Sequence, residues 1–275
     1  MIEPLLKDEA FLADVQAARQ RKDAVHIWWL GQSGFLIHSG DACLLVDPYL
    51  SDSLTKKYAA TDKPHVRMTE RVIAPVKLDF IDVVTSSHNH TDHLDAETLV
   101  PLLAANLRLQ MIIPEVNRAF VTERLHVEQD WPIGLSDGER TSVAGFEFIA
   151  VPAAHETVEP QFLGYVIRTG GVFIYHSGDT ILYEGMAHRL KMFKLDVALL
   201  PINGVKPERR VAGNLNGVEA ARLANEAGVK CVVPCHYEMF EFNTAAPDEF
   251  VSEARRLGQG YRVLKAGERM DVESV

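Results

Sequence analysis

The segment Ser86-Ser-His-Asn-His-Thr-Asp-His-Leu-Asp95 sets three imidazoles (His88, His90, His93) and the Asp92 carboxylate within six residues, directly after the apolar stretch Phe80 to Thr85. Burying such groups without partners costs roughly 2–7 kcal/mol each, so a cluster this dense at the end of a strand calls for a cation. A solvated loop that happens to be rich in histidine is the plain alternative. In an extended loop His88 and His90, two positions apart, point the same way, while Asp92 and His93 turn toward a second centre. Nitrogen and oxygen donors without thiolate suit Zn, Mn or Fe better than copper or an iron–sulfur cluster. Three later residues follow apolar runs but carry less information singly. Alone, His155 reads as a hydrogen-bonded or solvent-facing histidine, Asp179 as the Asx residue of a turn, and His236, beside Cys235, as part of a Cys-containing site.

The pattern H-x-H-x-D-H at a strand end resembles the signature of the metallo-β-lactamase superfamily. That resemblance directs attention to a further His, a bridging Asp and a last His, which match His155 in Val151-Pro-Ala-Ala-His-Glu156, Asp179 in Tyr175-His-Ser-Gly-Asp-Thr180 and His236 in Val233-Pro-Cys-His-Tyr237. Trp29-Leu-Gly-Gln-Ser-Gly34 and Asp47-Pro-Tyr-Leu50 extend the match over nearly the whole chain. The resemblance implies a four-layer αβ/βα sandwich, an α/β fold, with two divalent metal ions at one rim. One ion would sit on His88, His90 and His155, the other on Asp92, His93 and His236, with Asp179 between them. Two cations a few Å apart bring a bridging water toward hydroxide at neutral pH and polarise an electrophile, and Asp92 or Asp179 can hold the proton. The reaction class so implied is hydrolysis. Di-iron flavoproteins of the superfamily carry Glu at the position of His90 and need a flavodoxin-like domain, and neither is present in this sequence.

Flanking blocks are most similar to the ascorbate-6-phosphate lactonase group: Trp28 to Gly34, Tyr175 to Asp179, Asp196-Val-Ala-Leu-Leu-Pro-Ile-Asn-Gly204, and Pro234-Cys-His-Tyr-Glu-Met-Phe240. The expectation is cleavage of a small anionic lactone such as a sugar-phosphate lactone. A phosphodiesterase acting on a small nucleotide or lipid-derived substrate is the alternative, and a non-catalytic metal-binding protein the third reading. Asn203, at the rim after a strand ending at Pro201, and the basic pair Arg209-Arg210 are the expected substrate contacts, with Tyr49 and Tyr237 as oxyanion donors. Gln32 and Ser33 border the pocket or merely make a turn, and His176 is expected behind the ligands rather than among them. Cys43, Cys231 and Cys235 are expected as small buried apolar residues.

Strands must bring these residues together. The spacing predicts a leading helix within residues 1–23, a β-meander of Val25 to Trp29, Phe35 to His38 and Ala42 to Val46, then a lid or insertion over 47–78. Strands over 80–85 and 109–113 alternate with helices over 95–105 and 114–125. A second meander covers 141–151, 163–168 and 172–175, followed by strand 197–200, helix 217–227, strand 231–233 and helix 248–257. This order reads as two similar halves joined near residue 135, in one domain over 1–275.

The 275 residues are 47% apolar and 24% charged, enough for a substantial core. A charge of −10, from 28 basic against 38 acidic residues, disfavours nucleic acid as a partner. A local cationic pocket for a small anionic substrate stays compatible with that sum. The sequence shows no apolar run approaching the roughly 20 residues of a membrane span. The acidic start Met1-Ile-Glu-Pro and the three cysteines point to a cytoplasmic, reducing compartment. Homo-oligomers are common in the family, but no interface is legible. Of eleven histidines, five are proposed ligands, and His26, His38, His65, His126 and His188 have no assigned role.

Overall fold

A computed structural model describes residues 1–273. The first half of the chain runs α1 (Asp8–Ala18), β1 (Ala24–Gly31), β2 (Gly34–Ser39), β3 (Ala42–Val46), α2 (Ser53–Tyr58), β4 (Val83–Thr85), α3 (Ala96–Ala105), β5 (Gln110–Pro114), α4 (Arg118–Leu125) and β6 (Ile133–Leu135). The second runs β7 (Arg140–Val143), β8 (Phe146–Ala154), β9 (Val158–Thr169), β10 (Val172–His176), α5 (Met186–Lys191), β11 (Val197–Pro201), α6 (Gly217–Ala227), β12 (Cys231–Cys235), α7 (Asp248–Leu257) and β13 (Arg269–Glu273). Their strands make two mixed sheets, in the orders β13-β1-β2-β3-β4-β5-β6 and β12-β11-β10-β9-β8-β7.

Each sheet follows one plan. Four antiparallel strands (β13-β1-β2-β3 and β7-β8-β9-β10) give way to parallel strands reached through helical crossovers. The two halves expected from the sequence are therefore present, with the change of sheet between Leu135 and Arg140. The fourth antiparallel strand of the first half is supplied by β13, whose register pairs Ile27 with Met270. That strand, α2, α5 and β6 are additions to the elements the sequence spacing predicts. The expected strand 141–151 is split by a turn with Ala144 and Gly145 at positive φ, and the expected helix 114–125 opens as a 3₁₀ turn at Glu115–Asn117.

Strand alternation decides where the core sits. Val25, Ile27 and Trp29 of β1 join Phe35, Ile37, Phe146, Phe148, Ile167 and Ile174 between the sheets. The intervening Trp28 and Leu30 face Phe11 and Val15 of α1 in a second cluster. Trp28 meets Phe11 edge-on at 6.3 Å, and its indole N–H donates to Asp14 at 2.8 Å. With α1, α3 and α4 outside the first sheet and α5 to α7 against the second, the layers run helix, sheet, sheet, helix. Both faces of the central strands are covered, which is why they read as continuous apolar runs.

The 47–78 stretch is packed rather than loose. Tyr49 and Leu54 bury against Met239 and Phe240, and Met68 N–H donates to the Met239 carbonyl at 2.8 Å. Among the described residues no helix is long and apolar enough to cross a membrane.

Gly217 opens α6 beside α7, where an added Cβ would lie 2.7 Å from the Phe250 backbone nitrogen. Gly217→Ala should therefore push α7 outward at a cost of about 1–3 kcal/mol, lowering Tm by roughly 2–4 °C per kcal/mol. An unchanged thermal midpoint would show that the two helices can part at no cost.

Candidate metal centre

Every ligand-type residue follows the C-terminal end of a strand. His88, His90, Asp92 and His93 lie beyond β4, His155 directly after β8, Asp179 beyond β10 and His236 directly after β12. Such strand ends are where open α/β sheets gather their ligands. Tight turns aim these residues. Gln32, Asp47 and His236 hold φ of 51°, 40° and 59°, a conformation that non-glycine residues adopt only under constraint. Gly178, at φ 59°, lets the turn to Asp179 close on Ser87, where a Cβ would fall 2.6 Å from the serine Cβ.

Two groups converge: His88, His90 and His155, and Asp92, His93, Asp179 and His236, each with one ligand atom per residue within 4.8 Å of the others. In the first, ring centroids lie 4.6 Å apart for His88 and His90 and 4.8 Å for His90 and His155. In the second, Asp179 reaches both histidines, with Oδ1 3.2 Å from His93 Nε2 and Oδ2 3.3 Å from His236 Nε2. Asp92 Oδ2 lies 3.5 Å from His236 Nε2. His88 Nε2, His93 Nε2 and Asp179 Oδ1 are buried without a hydrogen-bond partner. Orphaned donors of this type are what divalent cations satisfy, so the residues fit a metal site.

Electrostatics reinforce the grouping. Burial alone would raise the Asp179 carboxyl, but His236 and His93 hold it well below the usual carboxylate range. Asp92 behaves alike, burial being overridden by His93 and His236. Conversely, burial opposes charge on His93, yet Asp179, Asp92 and Asp47 raise it well above its ordinary value. His236 rises to about 9, against burial, through Asp179 and Asp92. His88 and His155 are pushed down, chiefly by burial.

Behind the ligands stands Asp47, to which the sequence assigned no role. Fully buried at the end of β3, it accepts hydrogen bonds from Thr85 Oγ1 (2.9 Å), the Ser87 backbone N–H (3.1 Å), Ser87 Oγ (2.5 Å) and His93 Nδ1 (2.7 Å). The bond from Nδ1 leaves His93 Nε2 free to ligate. His176 lies behind as expected: its Nδ1 accepts from the Gly178 N–H at 3.3 Å and its Nε2 donates to the Ser33 carbonyl at 3.0 Å. Gln32 borders the site, its Nε2 donating to Asp92 Oδ2 at 2.8 Å.

The ligands floor a cavity of ≈ 610 Å³ whose walls include Lys57, Tyr58, Lys63, His65, Arg124, Phe240, Phe242 and Asn243. The expected substrate contacts are absent from that lining. Tyr237 stacks on Trp29 at 4.8 Å and its hydroxyl donates to the Leu264 carbonyl. Tyr49 lies behind Phe240, its hydroxyl accepting the Leu54 N–H at 3.0 Å. Arg210 pairs with Asp62 on the surface. Asn203 and Arg209 are buried and both bond Asn243 Oδ1, at 3.0 and 2.8 Å, so they position a wall residue instead of lining the cavity. Proximity to the rim in sequence does not aim a side chain into the cavity: Asn203 and Arg209 turn inward to satisfy Asn243. His65 is the reverse case: unassigned from sequence, it lines the cavity, stacked on Tyr58 at 4.4 Å. The cysteines lie outside both ligand groups, and burial raises their thiols, Cys43 to about 12.

Residues 43–237 match the family described as the Beta-lactamase superfamily domain. A UPF0173 metal-dependent hydrolase of Saccharolobus solfataricus is 25% identical over 244 residues, covering 87% of this chain and 96% of that protein. Another, from Caldivirga maquilingensis, is 28% identical over 251 residues, covering 90% and 98%. Among solved structures, the metallo hydrolase Igni18 of Ignicoccus hospitalis superposes with a TM-score of 0.67 at 22% identity, covering 91% of this chain and 99% of that one.

Asp47→Asn should weaken divalent-metal affinity about 10–100-fold, read by chelator competition; equal affinity would mean that His93 is oriented by other contacts. Protons and metal compete for the same imidazole nitrogens. Because the carboxylates raise His93, and His236 to about 9, affinity should climb as pH rises from neutrality to about 9 and binding should release protons. Calorimetry in buffers of different ionisation enthalpy measures that release, and a pH-independent affinity would contradict it.

Proposed function

The chain belongs to the beta-lactamase superfamily, and on that premise we propose that this metal-dependent hydrolase cleaves the ester of a small anionic substrate, in its most specific form a lactone such as a sugar-phosphate lactone. The observation that carries the reading is the convergence of two ligand groups on the floor of a cavity that also presents Lys57, Lys63 and Arg124. His88, His90 and His155 would hold one divalent cation, and Asp92, His93 and His236 a second, with Asp179 shared. Zinc or manganese, or iron, suits such donors. Bound there, they would supply Lewis acidity and lower the pKa of water.

The chain's own residues do the rest. Asp179, held ionised between His93 and His236, is the first candidate base, taking a proton when one of its oxygens is released. Asp92 is the second candidate base, with Oδ2 fixed by Gln32. Tyr58, His65, Phe240 and Phe242 form an aromatic wall that excludes water and accepts the apolar part of a substrate. The basic side chains attract an anion despite the overall charge of −10. Ligands come from both sheets, and we take the two sheets as one domain.

Metal analysis together with panels of lactones and bis-aryl phosphodiesters tests the reading. Lactone or ester turnover with two bound metals is expected, and phosphodiester turnover alone would overturn it. His90→Ala should lose one metal and reduce kcat by about 10³-fold or more; wild-type rates in that variant would show the ligands to be misassigned.

A further inference from the structure

Arg124 differs from the other basic groups around the cavity. Lys63 donates its ammonium to the Arg210 carbonyl at 2.7 Å, and Lys57 is exposed beside Tyr58. Arg124, on α4, is half-buried, with its guanidinium 4.3 Å over the Phe120 ring one turn earlier. Its Nη1 donates to the carbonyls of Asn89 (3.0 Å) and Leu94 (3.1 Å), residues that bracket His90, Asp92 and His93. Among the described residues the rest of its planar fork makes no hydrogen bond and no ion pair. The nearest acidic influence, Asp95, is engaged with Thr98 Oγ1 and the Glu97 N–H. Burial consequently pushes the guanidinium down from its ordinary value, with only Asp95 opposing.

Other sheltered arginines have their forks occupied. Arg67 pairs with Asp52, Arg118 with Glu115, and Arg209 is committed to Asn203, Asn243 and Thr244. A partly desolvated guanidinium that lines the cavity, is stacked and tethered to the ligand loop through Nη1, and has Nε and Nη2 uncommitted is preorganised for an oxyanion, which it can meet with two parallel hydrogen bonds.

We propose that Arg124 receives the anionic group of the substrate, a carboxylate or phosphate, and thereby sets the preference of this site for acidic esters over neutral ones. The assignment rests on the hydrolase reading above and adds the residue that recognises charge. It also replaces the Arg209-Arg210 pair in that role, since neither lines the cavity.

The test compares metal-loaded wild type with Arg124→Gln, which keeps an N–H for the loop carbonyls but no charge, and Arg124→Lys, which keeps the charge but not the fork. Inorganic phosphate is titrated calorimetrically. Turnover of monophenyl adipate is measured against phenyl hexanoate, a pair in which only the first carries a remote carboxylate. The Gln variant should bind phosphate about tenfold or more weakly and lose a similar factor in the ratio of kcat/KM for the acidic over the neutral ester. The Lys variant should fall between, with metal content equal in all three. Equal phosphate affinity in the Gln variant, or a parallel fall of both esters together with lost metal, would reduce Arg124 to a tether of the loop and overturn the proposal. Phosphate binding that depends on Arg124, in a wild-type protein that cleaves neither ester, would uphold this assignment and sink the ester reading instead.

Discussion

Asp47 is a carboxylate with no exposed surface, and such a charge is tolerated only when neighbouring donors replace the water it has lost. Thr85, Ser87 and His93 do so. Because they belong to β4 and the loop beyond it, while Asp47 ends β3, satisfying this one charge fixes the loop against the sheet and turns His93 toward Asp179 and Asp92. The ionised state of Asp179 depends in turn on His93 and His236, and His236 is carried by the other sheet. Removing one member leaves others buried without compensation, so the polar groups of the site act as a set.

Strain accompanies that set. Asp47, Gln32 and His236 all occupy the left-handed region within reach of the ligands, each at an expense that packing elsewhere must offset. The core between the sheets buries large aromatic and branched side chains, and burial of that kind is favourable enough to offset such strain. Rigidity of the floor contrasts with the origin of the walls, which are drawn from α2, α4 and the loops near residues 63–65 and 240–243. Sequence change in those segments can alter what the cavity admits while leaving the ligands in place.

The candidate ligands His88, His90, Asp92 and His93 and most strands are legible because their signals are local. Apolar runs mark strands buried on both faces, and His88 to His93 lie close enough in sequence for spacing alone to carry meaning. His155, Asp179 and His236 became readable only through a family resemblance, since one polar residue after a strand has several ordinary explanations. The cavity walls were not legible: Lys57, His65, Arg124 and Phe242 meet only through the tertiary fold. Short elements such as α2 and α5 offer too few turns for a periodicity. Strand β13, Arg-Met-Asp-Val-Glu, contains two apolar residues and owes its conformation to pairing with β1.

That pairing bears on how the molecule is made. Ala24 has its ladder partner at Glu273, so during synthesis the outer edge of β1 stays unmatched until the segment that carries Glu273 has been made. An unmatched edge is a template for wrong strand pairing, and a contact between such distant segments forms slowly. In spatial order β13 is to the first half what β7 is to the second. The two sheets thus resemble a duplicated unit in which the leading strand of the first half follows the second half in sequence, and a permutant that places β13 directly ahead of β1 would restore each half to an uninterrupted run.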